Sequence, residues 1–526
     1  MHSSTHFVSA PSNQQATSSD NFINRYSQRF QIQLDKDWSI RECKLHILQM
    51  FLDGSIYDNL QDFSQEYQGK NGAYIPLSKR RPSSTYRLCE IVVNESVGML
   101  FGEGHFPEIR CEKEYENTEK FLRYITDSCH LKRTMLNAAK EGSIGSVCIL
   151  VKVLEGKFYF DVLNTKHLTP VFDQQAPDKL IMLMDKKKTD GATLIAHGYD
   201  IPETDKNKYF YVEREWTPTE EIYYIPYLCD EPRRIIAPNV NIGIVKAKDN
   251  ERSTVHDLGF VPAIWIQNLP KAHHIDGLCT FQAILDTQTE IDYQISQAGR
   301  LLKYNSDPTL VIKNPTAIDG NQLIRSQTVL NIDEKGDAYY AEMSGQGVQA
   351  VMDYVKMLRE FGLESVRGNR TSPEKVGAHQ SGRAMQMLNN HLINLVDEMR
   401  LTYGDSGLIP IYQMCVDIFN SNAYEMKYDD HRPDKELPEG EIKLGWQNWY
   451  PQTGQDKYNE AQAIQIYRST GVMSAETAVD YIATEYGIED TEKEVQAIDK
   501  ETTKMQNVMN KEEAKVEPKP KKPSGT

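Results

Sequence analysis

The chain has 526 residues, enough for more than one domain, and a formal net charge of −16. That balance excludes a protein whose whole surface coats DNA or an anionic membrane, because such surfaces need an excess of Lys and Arg; a local basic patch remains compatible with it. No apolar run approaches the ~20 residues that a bilayer span requires.

Residues 1–20 are rich in Ser, Thr, Asn and Gln and are expected to be disordered. This polar start lacks the apolar stretch of a signal peptide, so none is expected. The eight cysteines are scattered, without a C-x-x-C pair, and several sit in apolar runs such as "SVCILV". Reduced, buried thiols are the expectation. Residues 21–143 read as mostly helical. "TYRLCEIVVNESVGMLFG" and "TEKFLRYITDSCHLKRTMLNAAKEG" each repeat apolar residues at three- and four-residue spacing, with Gly142 stopping the second. Residues 144–270 change period. "SVCILVKVLEGKFYFDVLN" predicts two strands about a Glu-Gly turn, and "KLIMLMDKKK", "TLIAHGYDI", "KYFYVEREWT", "EIYYIPYL", "NIGIVKA" and "VPAIWIQN" read as further strands.

Residues 276–303 predict a long amphipathic helix, apolar at 278, 281, 285, 291, 295, 298 and 302 and capped by Asp276. Its other face carries Gln, Thr, Asp and Glu and is expected to meet solvent or neighbouring molecules. Residues 304–347 break the pattern with short strand-like runs, "DPTLVIKN", "TVLNIDE" and "AYYAEM", too few to bury much apolar area alone. A second amphipathic helix follows over 348–367, with Val351, Met352, Val355, Leu358 and Phe361 on one side. "GNRTSPEKVGAHQSGRAMQML", from Gly368 to Leu388, breaks the helix and concentrates charge. A very long helix is expected from Arg383 to about Ala423, kinked at Gly404, Gly407 and Pro410. "EIKLGWQNWYPQ" reads as a strand. The segment "KYNEAQAIQIYRSTGVMSAETAVDYIATEYGIEDTEKEVQAI" predicts two or three short helices, with Ser474 and Asp490 as N-caps. The charged, Pro-rich tail from about Asn510 is expected to be mobile.

The sequence contains no G-x-x-x-x-G-K-[ST] loop to cradle a triphosphate, no H-E-x-x-H or paired Cys/His zinc spacing, and no G-x-S-x-G elbow. Three constellations remain. "KAHHID" holds His273, His274 and Asp276, types that ligate metals, although adjacent histidines usually point apart and surface polarity is the favoured reading. "YDDHRPD" clusters Asp429, Asp430, His431 and Asp434, which could hold magnesium for phosphodiester cleavage; a polar surface loop is favoured. The third is the basic loop, with Arg367, Arg370, Lys375, Arg383 and His379. One copy would bind DNA feebly, because affinity grows with the number of phosphates neutralised. Multiplied about an axis, it could grip a backbone without reading bases.

The order of these parts resembles the portal protein of tailed bacteriophages, from about residue 80 to about 500. "AAKEGSIGSVCILVKVLEGKFYFDVLNTKHLTPVFD" is similar to that family's helix-to-strand passage, and "GFVPAIWIQN" to its V-P-hydrophobic strand. "LDTQTEIDYQIS" resembles the first stem helix. "QSGRAMQMLNNHLINLVDEM" resembles an S-G-x-A-L helix start, with Ser381, Gly382 and Ala384 aligned and Met385 in place of the usual Leu. "STGVMSAETAVDYIATEYGIEDTEKEVQAI" is close to the C-terminal T-G-hydrophobic-[ML]-S-x-E-T segment. The first 80 residues match nothing in the pattern.

The resemblance implies an α+β fold with a wing, a long helical stem, a small clip and a helical crown, assembled as a ring of twelve copies. It implies a wing over 21–275, stem helices at 276–303 and 348–367, and a clip at 304–347. A tunnel loop at 368–381, a long wing helix and strand at 382–454 and a crown at 455–509 complete the assignment; 510–526 is the tail. By the same resemblance no cofactor and no catalysis are expected. The basic loop would meet double-stranded DNA in the channel. The clip, with Asn314, Asn321, Arg325, Asp333 and Lys335, would dock the terminase large subunit and head-completion proteins. Major capsid and scaffolding proteins are further implied partners, at the portal vertex of the virion, with no membrane. Twelve copies would carry roughly −190 formal charges, which disfavours DNA adhering to the channel wall. Two rivals are a metal-dependent nuclease using Asp429, Asp430 and Asp434, and a different, usually shorter, ring-forming head–tail adaptor.

Overall fold

The computed structural model describes residues 18–68, 71–102, 104–229, 235–237, 240–241, 246–306, 309–313, 337–341, 346–368, 386–387, 389–421, 424, 437–438, 440–449, 454–486, 491, 493–501 and 503–504. They fall into two compact units, one formed by Met1–Thr371 with Asn389–Trp449 and the other by Ser372–Leu388 with Tyr450–Thr526. The first unit mixes helices and antiparallel strands, an α+β architecture.

Five helices open it: α1 (Ser18–Phe30), α2 (Ile40–Asp53), α3 (Leu88–Phe101), α4 (Glu116–Ser128) and α5 (Leu131–Gly142). Helix α1 begins inside the stretch expected to be disordered; residues 1–17 lie outside the described ones. Helix α2 carries a reciprocal capping box, Ser39 accepting from the Glu42 amide while Glu42 accepts from the Ser39 amide. The single helix expected over 118–142 is two, because His130 adopts a left-handed φ of 55° and turns the chain between α4 and α5. Between α2 and α3 the short strands β1 (Tyr67–Gln68) and β2 (Ala73–Tyr74) pair as a hairpin. Strand β3 (Glu108–Arg110) precedes α4.

Strands β4 (Ser146–Leu154) and β5 (Lys157–Leu163) form the expected hairpin, with Glu155 and Gly156 both at positive φ, as a tight two-residue turn requires. A second, six-stranded antiparallel sheet contains β6 (Leu168–Phe172), β7 (Leu180–Asp190), β8 (Tyr209–Trp216), β9 (Glu220–Tyr224), β10 (Tyr227–Leu228) and, past the small pair β11 (Ile235–Ala237) and β12 (Val240–Asn241), β13 (Lys248–Val255). "TLIAHGYDI" is not a strand. It starts as the short helix α6 (Gly191–Ala196), because Asp190 accepts from the Thr193 amide and hydroxyl and so caps a helical turn. Strand β14 (Ala263–Gln267) adds to the free edge of β4.

Strand β4 is buried on both faces. Val147, Ile149 and Val151 join the main core with α3, α4 and α5, while Cys148 and Leu150 join a smaller core with Leu168, Leu183 and Trp216. The two-residue side-chain period therefore lets one strand bind the helical layer to the six-stranded sheet. All eight cysteines are free thiols.

Helix α7 (Leu285–Ser306) and helix α8 (Gln346–Ser365) bracket the antiparallel pair β15 (Thr309–Lys313) and β16 (Asp337–Ala341). "TVLNIDE" lies outside the described residues. Helix α7 begins nine residues after Asp276, which caps nothing there. Instead Asp276 takes a two-pronged ion pair from Arg41, at 2.6 and 2.8 Å, and a bond from Ser146. Further on, α9 (Asn390–Met399) runs through a π-helical segment, Arg400–Leu408, into α10 (Ile409–Asn420), so where a kink is expected the helix widens into π turns. Strand β17 (Lys443–Gly445) pairs with β3. In the second unit, α11 (Gly454–Ser469) and α12 (Ala475–Tyr486) follow in sequence, and Ser474 caps α12 by accepting from the Thr477 amide at 3.1 Å. Asp490 lies outside the described residues.

Candidate functional site along helices α7 and α8

Helix α7 holds its unit together through its polar stripe. Gln288, Thr289, Asp292 and Ser296 are all buried, although the sequence suggests that this face meets solvent or neighbours. Gln288 accepts from the Cys89 amide at 2.8 Å, satisfying one of the unpaired donors at the start of α3. Asp292 accepts from the Tyr57 hydroxyl at 2.8 Å and the Tyr86 amide at 2.6 Å. Ser296 accepts from the Ser84 amide, and Tyr293 donates to the Arg80 carbonyl at 3.1 Å. Farther along, Arg300 pairs with Glu66 at 2.7 Å. Residues 57–89 are thus fastened to α7 by matched donors and acceptors. Burial pushes the Asp292 carboxyl up to about 6, against the opposing pull of its two donors, and raises the Tyr57 phenol.

Helix α8 lies against α7 through Val355, Leu363 and a close approach at Gly362, where a Cβ would stand 3.1 Å from Thr287 Cγ2. Of the five residues expected on its apolar side, Val355 is buried and Val351 and Leu358 are partly buried; Met352 and Phe361 are exposed.

The chain leaves α8 through a Schellman turn: the Gly368 amide donates to the Leu363 carbonyl at 2.8 Å and the Arg367 amide to the Glu364 carbonyl at 3.4 Å. Arg367 occupies the left-handed position, φ 57°, where Gly is the usual residue. Its guanidinium pairs with Glu398 of α9 at 2.8 Å, so the loop base is tied to the long helix that follows the loop. Arg370, Lys375, His379 and Arg383 lie outside the described residues, as do Asn314, Asn321, Arg325, Asp333 and Lys335, and Asp429, Asp430, His431 and Asp434.

The π segment is seated on two sides. Tyr403 donates to Asn268 Oδ1 at 3.1 Å and Thr402 to the Asn268 carbonyl at 2.9 Å. Arg400 lies over the Trp449 ring, 3.3 Å from its centroid, with Trp446 beyond. Among the described residues no three His, Cys, Asp or Glu side chains converge to hold a metal ion, and no helix is long and apolar enough to cross a membrane.

A family model described as phage portal protein, SPP1 Gp6-like, matches residues 54–507. The chain belongs to that family. It is therefore a phage head–tail connector protein, of a structural and non-enzymatic kind that belongs to the capsid vertex of the virion. The match takes in α7, α8, the basic loop and α12, and so every stretch that carries the resemblance read from the sequence. It starts earlier than that resemblance, at residue 54, and includes the β1–β2 hairpin. No curated protein matches the chain.

What the sequence reading missed is the burial of the α7 stripe. The signal was there: Gln288, Asp292 and Ser296 follow at four-residue intervals and so lie in one row along the helix.

Proposed function

We propose that this chain is the subunit of a ring, twelve copies in the assembled virion, that forms the DNA channel at one capsid vertex. The genome enters through it under the drive of the terminase and leaves through it on ejection. The ring also serves as platform for head assembly and tail attachment. The observation that carries the reading is the family match over residues 54–507.

In this reading residues 276–303 and 348–367, which hold most of α7 and α8, are the stem, residues 304–347 the clip that meets the terminase large subunit and head-completion proteins, and 368–381 the tunnel loop. Capsid and scaffolding proteins meet the outer parts. Arg370, Lys375, His379 and Arg383 face the passing duplex. Each contributes a weak phosphate contact, repeated by every copy. Arg367 stands at the loop's base, its charge shared with Glu398, and serves the loop mainly by directing it. The chain's excess of carboxylates keeps DNA from sticking elsewhere.

Two measurements test this. Negative-stain microscopy of the purified protein is expected to reveal rings with a central hole; monomers at all concentrations, unrecruited by capsid proteins, would overturn the reading. Replacing Arg370, Lys375 and Arg383 together by Ala is expected to leave rings intact while lowering packaged DNA several-fold. Normal packaging by such rings removes the loop's contact with DNA.

A further inference from the structure

The loop before helix α2, helix α2 itself and the turn Thr165–His167 meet around one amine. Lys166 Nζ stands 3.5 Å from the centroid of the Trp38 ring and 3.4 Å from His46 Nδ1, on a half-buried side chain. The Lys166 backbone is held as well, its amide donating to Asn164 Oδ1 at 2.9 Å. The Trp38 ring meets His46 edge to face, with centroids 4.9 Å apart.

Among the described residues this amine has no carboxylate partner, although two carboxylates stand near it. Glu42 is engaged at both oxygens, one facing His167 Nδ1 at 3.1 Å and the other accepting from the Ser39 amide at 2.7 Å. Asp35 is engaged likewise, accepting from the Asp37 amide at 3.0 Å and from Lys188 at 3.0 Å. Burial pulls the pKa of the Lys166 amine down to about 8, with Glu42, Cys43 and Asp35 pulling the other way. The indole face attracts an ammonium and offsets part of the burial cost, but it offers none of the hydrogen bonds that water gives. Burial, with the Lys166 and His167 charges, also takes His46 down to about 4, so the imidazole beside the amine is neutral and its Nδ1 accepts.

A lysine so placed is a nucleophile at neutral pH, because much more of it is free amine than in a lysine surrounded by water. The site also selects the electrophile. An imine would leave the nitrogen without a hydrogen and break the bond to His46. An amide keeps one N–H for His46 Nδ1, removes the charge that burial disfavours and presents a flat neutral group to the indole.

We propose that Lys166 is a site of acylation that takes its acyl group from an activated donor of the acyl phosphate class. The Nζ lone pair attacks the acyl carbon and an N–C bond forms. The bond from that carbon to the phosphate oxygen breaks, phosphate leaves with the electron pair, and the nitrogen's proton passes to solvent. Trp38, Glu42 and His46 lie before residue 54, so the site is built partly outside the family pattern and does not depend on the ring reading.

The test is acylation of the purified full chain by acetyl phosphate, read lysine by lysine by peptide mass spectrometry. Lys36 and Lys206, both exposed, are the internal references. At pH 7 Lys166 is expected to react about tenfold faster than either. Its rate should climb to about pH 8 and then level, while the references go on rising toward about pH 10. His46→Glu sets a carboxylate beside the amine, which holds the proton in place, and should bring Lys166 down to the references. Circular dichroism checks that this variant is folded; an unfolded variant leaves the decision to the pH profile of the unsubstituted protein. Lys166 reacting no faster than the references at pH 7, or a rate that keeps climbing past pH 8 alongside theirs, would overturn the proposal, as would a folded His46→Glu protein that reacts as before.

Discussion

Single side chains on α7 and α8 fix how this protein is put together. Asp292 is buried and its carboxyl is pushed up to about 6, so the folded chain holds that proton more tightly than the unfolded one. This group therefore favours the fold most below about pH 4, and its contribution declines as pH rises to 6 and then levels off, a swing of about 3 kcal/mol. Asp292→Asn should flatten urea-unfolding midpoints between pH 4 and 6. Asp292→Ala, which strands the Tyr57 hydroxyl and Tyr86 amide, should lower stability by about 2–4 kcal/mol at pH 7. At Arg367 two effects oppose: the left-handed backbone favours Gly, and the Glu398 pair favours Arg. Thermal melts should place Arg367→Gly within about 1 kcal/mol of the parent, with Arg367→Val distinctly lower. The sequence located these residues but not their roles. Asp276, a plausible cap by position, is a half-buried anchor for Arg41, and only the three-dimensional return of α2 to that point could reveal it.

Among the elements, the π segment between α9 and α10 depends on two glycines. A Cβ at Gly404 would stand 2.7 Å from Trp446 Cζ2, and one at Gly407 2.8 Å from Ile266 Cδ1. Gly404→Ala and Gly407→Ala should each lower the unfolding free energy, measured by urea denaturation, by about 1–3 kcal/mol, although Ala is the better helix former. That the helix departs from regular α geometry there was legible from Gly404, Gly407 and Pro410, since both residue types punctuate helices. The start of α7 was not. Leu278, Phe281 and Leu285 have helical spacing, yet Leu278 pairs with Leu269 as an isolated bridge and the helix waits until Leu285. Three residues in phase are too few to separate a helix from a coincidence. The same limit applies to "TLIAHGYDI", where a cap outweighed β-branched composition.

For the whole molecule, the order of long helices, strand insert and basic loop was readable because long amphipathic periods survive any detail of packing. The loop triple substitution belongs to this scale, because its effect needs many copies acting on one duplex. Its loss of packaged DNA should deepen in high salt, where the remaining phosphate contacts weaken. One described feature bears on how such an assembly could move. With Asp292, Ser296, Gln288 and Arg300 all engaged on a single side, α7 is keyed against twisting about its own axis; a small rotation would break every one of those bonds together. In the proposed ring, α7 would then adjust the bore by tilting with the body it is keyed to rather than by turning within it.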